Sequence, residues 1–250
     1  GRVSLPAPNL SPAPVRMAAS PCGALHVAVA GETATLTPAG ALYLQRHYLL
    51  AAGDLHLEKG SSFAARGQLL PPYDTRATLD RLDAELARWN PKTLVLLGDS
   101  FHDPRALARL APDDARRLGD LARRVELVWI AGNHDAEGLD RLAGTVIDQL
   151  SVGGLILRHE PLSGAQAGEV AGHLHPCAKV SGGVGRGGGV RRRAFVTDGL
   201  RLILPAFGAY TGGLNVLDPA YDGLFMQPPL AVALGRGRVH PLRWEALRPD

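Results

Sequence analysis

The stretch TLVLLGDSFHD at residues 93–103 decides the fold, because an apolar run leads directly into a polar loop. The run TLVLL has the length and the apolar content of a buried β-strand. The glycine, carboxylates and imidazole that follow it are typical of a loop that carries binding or catalytic groups. We therefore expect a buried strand that delivers Asp99 and His102 at its carboxyl end.

The same arrangement occurs on both sides of this stretch. Residues 48–52 form an apolar run before GDLH at 53–56, and residues 127–131 form another before GNHD at 132–135. Three such runs predict three buried strands with polar residues at their carboxyl ends. In open α/β sheets, ligands bind at those ends.

Helical sequence separates the three runs. TRATLDRLDAELARW at residues 75–89 predicts one helix, and we expect Thr75 to cap it. Residues 104–125 predict further helix, with a break near Pro112 because proline cannot donate a backbone hydrogen bond inside a helix.

The remaining sequence indicates a hairpin and a second sheet. Residues 26–37 alternate between apolar and polar side chains, and the turn is expected at Gly31-Glu32. The second half has short apolar segments between glycine-rich turns, which predicts a mostly antiparallel sheet. These segments lie at residues 154–157, 194–197, 200–204 and 231–233. Two sheets packed face to face with helices outside would bury a core suited to this length.

The composition is that of an ordinary globular protein. The chain has 250 residues, 20% of them charged, and a formal charge of +3, which excludes collagen-like and low-complexity chains. We expect a disordered leader at residues 1–20, with Met17 as a candidate start, and a single domain over residues 21–250. No stretch approaches the roughly 18 apolar residues of a membrane span, so we expect a cytoplasmic protein without membrane contact. Cys22 and Cys177 form no CxxC pattern and are expected to be incidental.

Five short segments hold the residues best suited to bind metal ions. In extended chain, residues i and i+2 point to the same side, so the Asp and His of DLH, and the two His of GHLH, can converge. Each pair alone occurs by chance, but five segments in this order, mostly after apolar runs, indicate a metal site. Their imidazoles, carboxylates and amide, without thiolate, favour Mn, Fe or Zn. The segments are DLH at 54–56, GDSFHD at 98–103, GNHD at 132–135, His159 and GHLH at 172–175.

This ordered set resembles the calcineurin-like metallophosphoesterase superfamily, whose pattern is DxH, GDxx(D/H), GNH(D/E), a lone His and GHxH. The resemblance covers residues 54–175 by motif and implies an α/β fold, the four-layer αββα sandwich of two mixed sheets. It also implies two divalent metal ions, for which we expect Mn, with Fe or Zn as alternatives. By the same match one ion would be held by Asp54, His56, Asp99 and His175, and the other by Asp99, Asn133, His159 and His173.

The superfamily match implies hydrolysis of phosphate esters by in-line attack of a metal-bridging hydroxide on phosphorus. His134 directly follows the implied ligand Asn133, so we expect it to donate a proton to the leaving oxygen. GDSFHD has His102 where protein phosphatases of this group carry a second Asp. The form GDxFH is similar to the nuclease subunit of double-strand-break repair complexes, which implies an accessory catalytic role for His102.

A closer resemblance is to the bacterial ligase-associated DNA damage response phosphodiesterase/endonuclease (PdeM) family. It covers nearly the whole chain after the leader and implies a DNA endonuclease in DNA repair, linked to a DNA ligase and a helicase. The segments that carry it are GDLHLEKG at 53–60, LPPYDT at 70–75, GDSFHD at 98–103 and LPAFGAYTGGL at 204–214.

Basic residues near these motifs have two possible uses. The segment SGGVGRGGGVRRR at 181–193 follows the GHLH loop and could lie against a phosphate backbone, or it could be a solvated, flexible hairpin. Glu58 and Lys59 could brace the first metal loop, touch substrate or form a surface salt bridge. The arginines considered for DNA contact are Arg186, Arg191, Arg192 and Arg193.

Two other functions are compatible with the sequence. Because one metal core can serve many substrates, a hydrolase of small nucleotide or pyrophosphate diesters is an alternative. A non-catalytic, metal-stabilised subunit of a DNA repair assembly is another, although the complete set of implied ligands argues against it.

Overall fold

The computed structural model describes residues 14–68, 73–132, 138–182 and 188–250, which form two β-sheets and four α-helices. The first sheet contains β1 (Met17–Ala19), β2 (Leu25–Val29), β3 (Glu32–Leu36), β4 (Leu42–Leu44), β5 (Leu49–Gly53), β6 (Thr93–Leu97), β7 (Glu126–Ile130) and β8 (Thr145–Ile147). The second sheet contains β9 (Gln149–Val152), β10 (Leu155–Arg158), β11 (Glu169–Ala171), β12 (Pro176–Val180), β13 (Val190–Thr197), β14 (Leu202–Ile203), β15 (Leu214–Asn215), β16 (Leu230–Leu234) and β17 (Val239–Leu242). The helices are α1 (Lys59–Ala65), α2 (Asp74–Trp89), α3 (Ala106–Arg109) and α4 (Pro112–Arg124).

The first sheet follows the chain order from β1 to β8. Strands β1 to β5 pair antiparallel, whereas β5 to β8 pair parallel. Helices α1 and α2 connect β5 to β6, and α3 and α4 connect β6 to β7. The three predicted runs are therefore parallel neighbours, and their carboxyl ends meet at one edge. No helix in these ranges is long and apolar enough to cross a membrane.

The second sheet is mixed, as the superfamily resemblance implies, although most of its pairings are antiparallel, as the apolar segments predict. Strand β10 pairs parallel with β11, β11 with β14, and β12 with β15. The other pairings in this sheet are antiparallel. Because β10 and β11 run in the same direction, the loops that follow them also share an edge.

The two faces of the first sheet have separate apolar cores. Along β6, Val95 and Leu97 face the second sheet, whereas Leu94 and Leu96 face α2 and α4. This alternation is the period-two pattern of a strand that is covered on both faces. The core between the sheets draws side chains from β2 to β7 and from β10, β11, β13, β14, β16 and β17. The site-bearing loops therefore emerge from strands that are packed on both sides.

The two mixed sheets with helices confirm the predicted fold class, and the layer over the second sheet is made of short turns instead of α-helices in the described residues. In the described residues, its apolar face packs against short 3-10 turns and loops around Tyr221, Leu224 and Trp244. The four α-helices of the described residues all precede β7 in the chain and connect strands of the first sheet. Proline and glycine recur through residues 205–237, which favours turns over a helix there.

Two local predictions need correction. Part of the predicted disordered leader is a β-strand, because β1 pairs antiparallel with β2. This pairing uses backbone hydrogen bonds, which no side-chain pattern predicts. Residues 1–13 lie outside the described ranges. Thr75 does not cap α2, which begins at Asp74. Its hydroxyl accepts the Glu58 N–H at 2.9 Å and donates to the Glu58 carboxylate at 2.9 Å. The predicted break at Pro112 is confirmed, because α4 begins there.

A buried ion pair supports the second sheet. The Arg201 side chain is 1% exposed, and its Nε lies 2.8 Å from Oε1 of Glu169, which is equally buried. Arg201 also donates to the carbonyl oxygens of Leu224 and Leu162. Without the Arg201 guanidinium, the negative charge of the buried Glu169 carboxylate would be compensated less well. The nearest other cation, Arg158, is 3.6 Å away.

We predict that Arg201→Met lowers the free energy of unfolding by about 3–5 kcal/mol, because it leaves a buried charge without its main partner. Urea denaturation measures this change. The double variant Arg201→Met/Glu169→Leu is the control, and it should recover most of the loss. A double variant as unstable as Arg201→Met would show that packing, rather than the stranded carboxylate, causes the loss.

Candidate metal centre

Six of the seven predicted metal ligands lie together where the carboxyl ends of four strands meet. Within each of two groups, the candidate ligand atoms lie within 4.8 Å of one another. The first group is Asp54, His56 and His175, and the second is Asp99, His159 and His173.

The two sheets each supply part of this centre. Asp54 and His56 follow β5, and Asp99 follows β6, in the parallel part of the first sheet. His159 follows β10, and the GHLH loop follows β11, in the parallel part of the second sheet. The loops after β5 and β6 stay hydrogen-bonded, since the N–H of His56 donates to the carbonyl of Asp99 at 3.0 Å. The centre is therefore assembled only when the two sheets pack.

Five of the six side chains project from left-handed backbone. The φ angles are positive at Asp54 (52°), His56 (46°), Asp99 (44°), His173 (71°) and His175 (50°). Side chains other than glycine rarely adopt this conformation, and strained residues of this kind cluster at functional sites. The extended backbone expected at DLH and GHLH is therefore wrong, and left-handed turns bring these side chains together instead.

Asp99 lies between the two groups. Its Oδ2 is 3.3 Å from Nε2 of His159 and 3.9 Å from Nε2 of His56. Asp54 is placed similarly, with Oδ1 3.4 Å from Nε2 of His175 and 3.9 Å from Nδ1 of His159. Both carboxylates thus face histidines of both groups, and Asp99 is positioned to be shared.

The contacts in the centre fit bound cations. Nε2 of His56 and Nε2 of His175 are 3.3 Å apart, and Nδ1 of His173 is 3.2 Å from Nε2 of His159. Among the described residues, the buried Oδ1 of Asp54 has no hydrogen-bond partner. Converging imidazole lone pairs beside such a buried carboxylate oxygen form a donor set that suits Mn, Fe or Zn.

Burial and charge set the protonation of two of these histidines. Burial lowers the pKa of His56 to about 4, against the opposing charges of Asp54 and Asp99, so its ring is neutral at pH 7. Burial also lowers the pKa of His159, but its hydrogen bond to Asp99 and the two carboxylate charges together raise that pKa to about 9. Nδ1 of His159 lies 3.2 Å from the carbonyl oxygen of Leu97, so Nε2 is the ring nitrogen that could bind a cation. A cation at Nε2 would compete with a proton for the same lone pair.

Two motif glycines make room for ligands that come from other motifs. Gly98 has φ +75°, and a Cβ there would overlap the ring of His159. A Cβ on Gly172 would lie 2.6 Å from Oδ2 of Asp54. The same Oδ2 accepts the N–H of His173 at 2.9 Å, so any shift of Asp54 also disturbs the GHLH loop. These contacts explain why glycine precedes the ligands in both motifs.

His102 lies beside the centre, and its accessory catalytic role stays a prediction. Its ring centroid is 5.9 Å from that of His56, and its backbone N–H donates to the carbonyl of Leu57 at 2.9 Å. Asn133 and His134 belong to residues 133–137, which lie outside the described ranges. The predicted functions of these two residues therefore stay predictions.

The arginines considered for DNA contact are placed differently from the expectation. Arg193 is partly buried and donates to the carbonyl oxygens of Ala206 and Thr211 at 2.9 and 3.0 Å. Arg191 binds the carboxylate of Asp250 at 3.0 Å. These partners argue against phosphate contacts by both residues. Arg192 points to the opposite face of β13, where it lines a groove with His240, and Arg186 lies outside the described ranges.

Arg193 instead braces the loop behind the first metal group. The residues after β14 run beside the end of β5: Phe207 donates to the carbonyl of Gly53 at 2.9 Å, and Gly208 to that of Asp54 at 3.2 Å. By binding the carbonyl of Ala206, Arg193 holds this loop in place. This explains the LPAFGAYTGGL segment, whose function the sequence alone did not reveal.

Arg109 has a bracing function that its sequence context does not predict, and Glu58 is also used to brace this region. Arg109 binds Asp103 at 2.7 Å and the carbonyl of Glu58 at 3.2 Å, so it ties the loop after β6 to the start of α1. The buried Glu58 carboxylate accepts hydrogen bonds from Thr75 and Ser61, which is the bracing alternative. Arginines are frequent in this chain, and no local pattern distinguishes Arg109 from the others.

We predict that Gly172→Ala weakens metal binding about 10–100-fold, because its methyl group displaces the Asp54 carboxylate. Calorimetric titration of metal-free protein with Mn²⁺ measures the change. Gly212→Ala is the matched control, since a Cβ at Gly212 meets no atom within 4 Å. Unchanged affinity in the Gly172 variant would mean that Asp54 is not a ligand.

Comparisons with known proteins identify a family and similar solved structures. The sequence model of the calcineurin-like phosphoesterase family matches residues 47–189. Pseudomonas putida nuclease MPE is 27% identical, with a TM-score of 0.66, over 88% of this chain and 100% of that chain. The phosphoesterase Yfce from E. coli is 19% identical, with a TM-score of 0.37, over 75% of this chain and 88% of that chain. No curated protein matches the chain.

The family match spans all five motifs from DLH to GHLH, with the six described candidate ligands, and covers more than half of the chain. The two sheets and the paired groups of ligands agree with it independently. The chain therefore belongs to the calcineurin-like phosphoesterase family and is a metal-dependent phosphoesterase.

Proposed function

We propose that this protein is a two-metal phosphodiesterase that cleaves DNA. The observation that carries the proposal is the pair of adjoining ligand groups, with Asp99 Oδ2 within 3.9 Å of a histidine from each. Two cations side by side suit in-line displacement at a phosphodiester, because both the attacking and the leaving oxygen need stabilisation. The likeness to a Pseudomonas putida nuclease over that protein's full length supports a nucleic acid substrate.

The ligands divide between two ions. When bound, the two ions, for which we propose Mn with Fe or Zn as alternatives, polarise the phosphate oxygens and lower the pKa of the attacking water. Asp99 would be shared between the two ions, and this residue is buried, with 3% of its surface exposed. Asp54, His56, Asp99 and His175 hold the first ion, and Asp99, Asn133, His159 and His173 hold the second.

Histidines that bind no metal complete the chemistry. His134 donates a proton to the leaving oxygen, because it adjoins the ligand Asn133 in sequence. His102 orients the groups at the leaving oxygen, which its position 5.9 Å from the ring of His56 supports. Both assignments follow the superfamily resemblance. They make a non-catalytic, metal-stabilised subunit the weaker interpretation.

The biological setting follows from the closer sequence resemblance. The segments shared with the ligase-associated phosphodiesterase/endonuclease family support an endonuclease in DNA repair that works with a DNA ligase and a helicase. One of these segments, LPAFGAYTGGL, contains the loop that Arg193 holds against the first metal group. The resemblance thus extends beyond the ligands to the structure that supports them.

Substrate class is tested by incubating metal-free protein with Mn²⁺, Mg²⁺, Zn²⁺ or Fe²⁺ on supercoiled, linear duplex and single-stranded DNA. We expect cleavage of DNA with Mn²⁺ and none in the presence of a chelator. Gel electrophoresis measures both. Hydrolysis of small synthetic diesters with no cleavage of any DNA would contradict the proposal and favour a hydrolase of small nucleotides.

We predict that His134→Ala lowers the cleavage rate about 10²–10⁴-fold, because it removes the proton donor. Two ions per chain should remain bound, as measured by elemental analysis. His240→Ala, an exposed histidine on β17, is the matched control and should keep full activity. Loss of metal together with His134 would show that this residue is a ligand and not the acid.

A further inference from the structure

The outer face of the second sheet is only partly covered in the described residues. The turns around Tyr221 and Trp244 pack on one part of this face. Another part forms a groove of about 310 Å³, lined by residues of β12, β13 and the β16–β17 hairpin. Val180, Val190 and Leu242 belong to its apolar wall, and Val190 is 45% exposed. Clefts that hold ligands begin at about 300 Å³, so this groove has room for a few side chains of a partner.

Two arginines lie together on the rim of this groove. Arg192 pairs with Ala178 across β12 and β13, and its side chain shares the outer face with the apolar wall. On the other side of β13, Ala194 pairs with Ala233. Continuing this register by two residues brings Arg192 level with residue 235, next to Arg236, which also lines the groove. The groove thus joins an apolar wall to a cationic rim.

The fold uses neither rim arginine. Among the described residues, the guanidinium groups of Arg192 and Arg236 have no hydrogen bond or ion pair. By contrast, Arg191 and Arg193, on the opposite face of β13, bind Asp250 and a backbone carbonyl oxygen. The side chains that line the groove include no carboxylate. Two positive charges therefore remain available beside an apolar surface.

The chain around the groove is also basic. Residues 228–248 contain four arginines and a single acidic residue, Glu245. Interfaces place groups of opposite charge against such a surface, which steers association and selects partners. Residues 1–13, which lie outside the described ranges, contain no Asp or Glu, so this segment does not complement the rim. The charge favours an acidic segment of another protein.

The apolar wall favours a peptide over nucleic acid. Proteins hold a nucleic acid backbone mainly through polar and cationic contacts to phosphate and sugar, which need no apolar recess. In the described residues, β17 pairs with β16 alone, and it contains Pro241. Proline has no N–H to pair with an added strand. A peptide would therefore bind through its side chains rather than extend the sheet.

We propose that this groove docks an acidic peptide segment of a partner protein, which packs apolar side chains on Val190 and pairs carboxylates with Arg192 and Arg236. The inference goes beyond the proposed function, because this docking needs neither metal ions nor DNA. Strand β12 begins directly after the candidate ligand His175, and Val180 lies five residues further on, about 16 Å along an extended strand. The peptide site is therefore distinct from the metal centre.

The test selects a displayed library of random peptides on the wild-type protein and, in parallel, on Arg192→Glu/Arg236→Glu. We expect wild type alone to enrich peptides that combine Asp or Glu with apolar residues. Fluorescent synthetic copies of these peptides then give dissociation constants by anisotropy. The double charge reversal should raise Kd about 10–100-fold, because like charges would face each other. Added salt should weaken binding to wild type.

Arg46→Glu/Arg76→Glu is the matched control, since it changes the net charge by the same amount. Both arginines are exposed, and they lie before β5 and on α2, outside the second sheet. This variant should bind the peptides as wild type does. Val190→Ser tests the apolar contact without any change of charge, and it should raise Kd about fivefold.

Several outcomes would overturn the inference. It is wrong if wild type enriches no peptides over Arg192→Glu/Arg236→Glu, or if the control variant loses binding equally. Displacement of the peptide by an oligonucleotide that the double variant no longer binds would assign the groove to nucleic acid. A wild-type dimer that the same variant converts to a monomer, as measured by analytical ultracentrifugation, would assign it to a second copy of this chain.

Discussion

Two buried carboxylates dominate this structure. Asp54 is 0% exposed and Asp99 is 3% exposed, and the groups that face them at the junction of the sheets are imidazoles. A charge in the interior is costly unless an opposite charge compensates it. His56 is neutral at pH 7 because burial lowers its pKa to about 4, and cations bound at these imidazoles would supply the positive charge that the two carboxylates need. Metal binding and the packing of the two sheets are therefore coupled, because each sheet carries only part of the ligand set.

Much of the surrounding structure serves to hold those groups together. The left-handed backbone at five ligands aims their side chains across the junction, and glycines at 98 and 172 let ligands from different motifs approach. Arg193 and Arg109 fasten the adjoining loops through carbonyl and carboxylate contacts. A strained centre of this kind persists only where the surroundings over-determine it. The brace at Arg193 also shows how a cation near a metal loop can be structural and not a contact for substrate.

The sequence predicted the parts of this protein that depend on local patterns. Apolar runs located β5, β6 and β7, and the order of short motifs identified candidate ligands that the structure brings together. What it missed depends on distant contacts: Thr75 binds Glu58 instead of capping α2, and Arg193 binds a loop more than ten residues away. The turn layer on the second sheet was missed because family resemblance suggested helices there. Pairing of β1 was missed because backbone bonds carry no side-chain signal.

The central claim is that two cations bind side by side, one at each ligand group, with Asp99 between them. A crystal structure of the protein grown with Mn²⁺, with anomalous diffraction measured at the manganese edge, tests this most directly. The account predicts two anomalous peaks, one among Asp54, His56 and His175 and the other among Asp99, His159 and His173. A single peak, or peaks away from these side chains, would contradict it.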